Sequence, residues 1–327
     1  MKLRPALAIL GLLLTASLPA AAWNAAGHRL TAQFAWSEMA PATRSALTRL
    51  LAAHPDHARW QAKAGKNRPA DDGLVALLAA STWPDDIKRD RRFHDDDKAA
   101  TPPRTAALPG FPDMARHRRW HYADHRLADG ARTGRGELDR RLPELLRTLG
   151  DAKAPLAARS HALPWIIHLV ADAHQPLHAA SRHDEDGRGD GGGNALWVET
   201  PQHPRLREMS LHAYWDDLPG PPWLRGKALE TATAALRAIP VAIPHDESAD
   251  DVSLWLEESL GLARDLAYAG LDGFTPSIDA RYHERAQGAA RKRLAQAGRR
   301  LARLLDALLG EREGHVSRGT AVSRETR

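Results

Sequence analysis

The stretch WIIHLVADAHQPLH, residues Trp165 to His178, decides how the rest of the chain is read. In a helix, His168 and Asp172 stand one turn apart on one face. Their neighbours Trp165, Ile166, Ile167, Leu169 and Val170 are apolar nearly all round, so the helix is expected to be buried. A histidine and an aspartate in a core need partners, because an unpaired buried charge is costly. The spacing alone leaves two readings open: a His–Asp hydrogen bond inside a core, or a pair of metal ligands. Pro176 stops the helix, and His178 follows two residues later, close enough to face the same cavity. His174 lies roughly 240° around the helix from His168 and is expected to brace the site from behind.

Further along, LHAYWDD places His212 and Asp216 again at a four-residue step, while TWPDD and WHYAD set Asp85 and His121 beside aromatic residues. One buried His–Asp pair is ordinary. Two such pairs with three more His or Asp in apolar contexts, in a chain with no cysteine, are the composition of a multinuclear zinc site built from nitrogen and oxygen ligands.

The surrounding pattern predicts an all-α chain. Helices are expected over Pro41–Ala53, Gly73–Ala80, Pro155–Gln175 (kinked at Pro164), Leu224–Ile239, Ser248–Tyr268 and Ile278–Leu309. ALWVET is the one convincing strand, half of a small hairpin. Asp86–Arg119 reads as a solvated, charged insertion. The Gly- and Asp-rich SRHDEDGRGDGGGN, Ser181 to Asn194, demands unusual backbone angles or close approach to something else. Trp36, Trp60 and Trp255 read as core; His54, His57, His94, His117, His125, His183 and His203 read as surface residues.

Residues 1–22 read as a secretory signal peptide, with Lys2 and Arg4 before a short apolar run and Ala20-Ala21-Ala22 at the cut. No later segment suits a membrane anchor. Residues 311–327 read as a polar, disordered tail. The formal charge of +5 falls to +3 without Lys2 and Arg4, too little to argue a nucleic-acid partner by itself. An exported chain without disulfides needs a large core or bound metal.

Taken together, Trp23 with His28, WPDDIK, WHYAD, HLVADAHQPLH, DGGGN and LHAYWD resemble the S1/P1 nuclease family across residues 23–310. The resemblance implies a helical single domain of the phospholipase C/P1 nuclease type, with a small hairpin and a cleft holding three zinc ions. It implies Asp85, His121, His168 and Asp172 on the first ion. Asp172 would bridge to a second, held also by His28 and by the α-amine and carbonyl of Trp23. His178, His212 and Asp216 would hold the third. Asp124 would orient or deprotonate the attacking water, with Lys88 near the scissile phosphate. Asn194 would bond a base edge, and Tyr122 stands where the family usually has a stacking Phe. The implied activity is hydrolysis of single-stranded DNA and RNA to 5′-phosphate products, with removal of 3′-phosphates from nucleotides, by a monomer in the periplasm or outside the cell. Two rival readings are a zinc-dependent phospholipase C and a non-catalytic zinc-binding protein. Against the first stand the five-residue step from Trp23 to His28 and an Asp, rather than a Glu, as last ligand.

Overall fold

The helices run, in chain order, α1 Ala25–Glu38, α2 Pro41–Ala52, α3 His57–Lys63, α4 Asp72–Ala80, α5 Trp83–Asp86 and α6 Leu138–Gly150. They continue as α7 Leu156–Ala173, α8 Pro176–Ala179, α9 Leu211–Asp217, α10 Gly226–Arg237, α11 Val252–Leu262 and α12 Ala280–Leu309. This computed structural model describes residues 23–65, 68–96, 106–244 and 246–310. The expected leader and tail lie outside the described residues. Among those described, no helix is long and apolar enough to cross a membrane.

The chain is organised around α7, whose residues from Ser160 to Ala173 are all buried. It runs on through Pro164 and stops where Pro176 follows. Helices α1, α2, α4, α6, α11 and α12 pack around it. The longest of them, α12, starts where the Asp279 carboxylate accepts from Tyr282 N–H. Its buried stripe, Tyr282, Ala286, Ala290, Leu294, Ala297, Leu301, Leu304 and Leu305, follows three- and four-residue steps. At Gly298 the helix lies so close to α1 that a Cβ would fall 2.5 Å from Phe34 Cγ.

The expected helices are found with shifts of a few residues at their ends. Six lie outside the expected ranges: the short α3, α5, α8 and α9, and the longer α1 and α6; the leucines 138, 142, 146 and 149 of α6 are buried against α7. Burying four leucines, at about 2 kcal/mol each, outweighs the roughly 3 kcal/mol cost of Pro143 inside the helix. The strand is as expected. Trp197–Glu199 (β3) pairs antiparallel with Glu208–Ser210 (β4), Val198 opposite Met209. A second ladder, unexpected, pairs His125–Arg126 (β1) parallel with Ala180–Ser181 (β2).

Two expectations about the surface are corrected. Asp86–Arg119 is not simply solvated: Phe93, Phe111 and Met114 are buried, and Arg92 bonds the Asp56 carboxylate twice at 2.8 Å. His54 is not exposed either. It stacks on Trp60 with ring centroids 4.5 Å apart, in an aromatic cluster with Trp83, Phe111 and His161. The polar sequence around His54 hides this, because its ring is covered by residues far along the chain.

His161 in this cluster has no partner for either ring nitrogen. Burial is the main cause that lowers its pKa to about 4. Above the ordinary value near 6.5 it is neutral folded or unfolded. Below that value the unfolded chain takes up a proton that folded His161 refuses, so stability falls as pH drops towards 4. His161→Phe is therefore expected to be more stable than the parent at pH 4.5, by about 2 kcal/mol more than at pH 8. Denaturant unfolding at the two pH values checks this, and an equal difference at both would show that folded His161 protonates freely.

Candidate metal centre

His168 and Asp172 are both completely buried, one turn apart on α7. Distant segments bring the remaining acceptors to them. His28, from α1, stacks its ring on His168 at 3.8 Å. Asp85 comes from α5, His121 from the short turn Arg118–His121, His178 from α8, and His212 and Asp216 from α9. Ligand atoms form three groups, each within 4.8 Å: His28, His168 and Asp172; Asp85, His121 and His168; His178, His212 and Asp216.

Asp172 faces both ways. Its Oδ2 lies 3.2 Å from both His121 Nδ1 and His168 Nε2, while Oδ1 lies 3.5 Å from His28 Nε2. That geometry suits a carboxylate bridging two cations. Three histidines are oriented from behind by backbone carbonyls. The Nδ1 of His168 lies 2.8 Å from Ser81 O, that of His178 2.6 Å from His121 O, and that of His212 2.7 Å from Gly192 O. With Nδ1–H donating, each ring turns its Nε2 lone pair inward.

His168 Nε2 lies 2.9 Å from His121 Nδ1, but most of the cluster's other inward atoms lack partners in the protein. His28 Nδ1 and Nε2, His121 Nε2, Asp172 Oδ1, His178 Nε2 and His212 Nε2 are buried and unbonded. Burial, reinforced by neighbouring cationic groups, holds His28, His121 and His178 well below the ordinary imidazole range. Burial lowers His168 too, but Asp172 and Asp85 outweigh it and its net shift is upward. Asp172 is pushed up to about 6, and Asp216 well above the carboxylate range, in both cases chiefly by burial. A cluster of acceptors with so little to donate to them fits divalent cations, and its all-nitrogen-and-oxygen donor set fits zinc.

Trp23 is buried, and its indole Nε1 donates to Ala171 O at 3.0 Å, beside Asp172. Asn24 N–H donates to Asp216 O, and the Asn24 side chain caps α1. Residues 23 and 24 are thus fastened between α7 and α9, next to the acceptor cluster.

A cleft of about 310 Å³ adjoins the cluster, lined by Lys88, Tyr122, Asp124, His178, Asn194 and His212 among others. Asp124 has φ +59°, uncommon for a non-glycine residue. Its carboxylate accepts from Ser181 Oγ and, at 2.6 Å, from Thr133 Oγ1, and Ser181 Oγ in turn accepts from Gly192 N–H. Lys88 Nζ donates to Asp85 Oδ1 at 2.7 Å. Asn194 donates to Gly191 O at the exposed rim. Glycines 191, 192 and 193 all have positive φ. A Cβ on Gly192 would fall 2.3 Å from Leu177 O, so only glycine lets the loop pass behind His212.

Ser181, Thr133, Arg118 and Arg135 also belong to this neighbourhood and were not singled out from sequence. Isolated polar residues carry no spacing signal. His174 does not brace the cluster as expected. Its Nδ1 bonds Val170 O and its Nε2 lies 3.0 Å from Arg300 Nη1, within a buried Arg293–Arg300–Glu258–Glu247 network on the far side of α7.

A family model described as S1/P1 Nuclease matches residues 23–310. Endonuclease 4 of Arabidopsis thaliana is 24% identical over 309 residues, covering 90% of this chain and 91% of that protein. Endonuclease 2 of the same plant is 29% identical over 172 residues, covering 46% of this chain and 52% of that protein.

The two-sided placement of Asp172 has a measurable consequence. In metal-loaded protein, His212→Ala is expected to release about one equivalent of metal, and Asp172→Asn more than one. Elemental analysis per folded chain checks this. If Asp172→Asn released no more than His212→Ala, Asp172 would not serve two ions.

Proposed function

The chain belongs to the S1/P1 nuclease family, a family of phosphodiester hydrolases, and we propose that it is an exported zinc enzyme cutting single-stranded DNA and RNA to 5′-phosphate products. We assign residues 23–310 as the catalytic domain. The observation that carries the reading is the buried acceptor cluster opening directly onto a cleft that holds Lys88 and Asp124.

Three zinc ions would be held as follows: one by Asp85, His121, His168 and Asp172; one by Asp172, His28 and the main chain of Trp23; one by His178, His212 and Asp216. Bound zinc supplies positive charge against phosphoryl oxygens and acidifies water. The protein's own groups do the rest. Asp124, held by Ser181 and Thr133, orients the attacking water and accepts its proton. Lys88, a buried cation at the cleft wall, offsets charge on the phosphate. Tyr122 offers a ring on which a base stacks, and Asn194 a donor and acceptor for its edge. The cleft has room for about one nucleotide, which suits unpaired bases that splay out and not a duplex that hides them. A terminal 3′-phosphate meets the same groups, which supports 3′-nucleotidase activity. Signal cleavage before Trp23 would create the free amine that a main-chain chelate requires, and an α-amine titrating near 8 gives up its proton to a metal readily.

The expected activity profile is hydrolysis of single-stranded DNA, RNA and a 3′-nucleotide, abolished by chelator and restored by zinc. Hydrolysis of phosphatidylcholine alone would point instead to the phospholipase C reading, and no hydrolysis by zinc-loaded protein to a storage role. Asp124→Asn is expected to lower kcat by about 10²–10⁴-fold while metal content stays unchanged. A protein with one extra residue before Trp23 is expected to lose about one metal equivalent and most of its rate. Full metal content and full rate would refute the main-chain chelate and leave the nuclease reading standing.

A further inference from the structure

A second cavity, of about 270 Å³, is lined at α1, α3, α4, α5 and α10 and shares no lining residue with the cleft or the acceptor cluster. Arg29 and Arg225 both line it, and their charges repel one another. Arg29 is 6% exposed. Its only bonds among the described residues run from Nη1 to the carbonyls of Pro222, at 2.9 Å, and Leu224, at 3.5 Å. Neither arginine has a carboxylate within ion-pair distance among the described residues. The nearby Asp86 has its partner at 3.9 Å in Lys63. Asp86 and Glu230 also line the cavity, and Asp86 attracts both arginines from beyond ion-pair distance. Two guanidinium groups sharing one cavity, one of them buried and neither in direct contact with a carboxylate, favour an anion between them. The planar fork of arginine matches phosphate oxygens.

The rest of the lining says what the anion carries. Trp60, Leu78 and Leu229 give the cavity an apolar wall, and Glu230 offers an acceptor for hydroxyl or amino groups. A bare inorganic anion would leave that wall unused. We propose that this cavity binds an organic phosphate of mononucleotide size, its phosphate held by Arg29 and Arg225 and its body against Trp60, Leu78 and Leu229. The site is separate from the cleft beside Asp124, and its existence does not depend on the nuclease reading.

Calorimetric titration of the zinc-loaded protein with 5′-AMP, and separately with inorganic phosphate, tests the assignment. Arg225 is exposed at the rim, so Arg225→Glu should leave the fold intact. This variant is expected to lose one equivalent of 5′-AMP binding, or to weaken it at least ten-fold, with the rate on a short single-stranded oligonucleotide within two-fold of the parent. Any 5′-AMP bound in the cleft would persist in the variant, which distinguishes the two sites even if the protein proves not to be a nuclease. Unchanged 5′-AMP binding in Arg225→Glu would overturn the proposal. So would inorganic phosphate binding at the Arg225-dependent site as tightly as 5′-AMP, because the apolar wall would then contribute nothing.

Discussion

Asp172 is a carboxylate with no exposure to water, two imidazoles against one oxygen and a third beyond the other. Left to itself such a group is unstable. Burial drives its pKa up to about 6, and the neighbouring imidazoles are mostly held neutral, so they present lone pairs where donors are needed. Divalent cations would resolve this by taking the place of the missing donors. The surrounding helices are arranged to make the cluster, and its need for charge, unavoidable.

The scaffold works mainly through backbone. Carbonyls of Ser81, His121 and Gly192 each turn one histidine so that its Nε2 faces inward. A carbonyl cannot change its protonation state, so the inward lone pair is maintained without relying on another titratable group. The glycine run from Gly191 to Gly193 serves this end. It lets the loop pass close over Leu177, puts the Gly192 carbonyl behind His212, and puts the Gly192 N–H on Ser181. Through Ser181 the same loop reaches Asp124, so one backbone segment orients both an acceptor of the cluster and the cleft carboxylate. The positive φ of Asp124 is the local strain that this convergence sustains.

Charge is distributed with similar economy. The arginines buried near α12 are matched by Glu247 and Glu258 and bind His174 into a structural network. Arg29 and Arg225 are not matched in this way, although Arg29 is as deeply placed. Of the buried arginines Arg29, Arg293 and Arg300, Arg29 alone has no carboxylate within ion-pair distance among the described residues, and it lines a cavity with the exposed Arg225.

What the sequence determined by itself is what helical periodicity encodes. His168 with Asp172, and His212 with Asp216, are legible because one helical turn puts both members of a pair on one face. The buried character of α7, the apolar stripe of α12 and the strand at Val198 follow from the same short-range rules. His178 follows from the helix stop at Pro176, two residues before it. Assigning His28, Asp85 and His121 to the same neighbourhood took six spaced motifs read jointly through a family resemblance, since no local rule links them. Only the tertiary structure decided the rest. It showed that Asp172 points its two oxygens at different histidines, that Ser181 and Thr133 hold Asp124, and that His174 and His54 sit in networks of their own. It also brought Arg29 and Arg225 to one cavity from positions nearly 200 residues apart in the chain. Short-range spacing fixes which residues share a helix face, but which faces meet depends on how helices far apart in the chain pack, and that packing carries no local periodic signal.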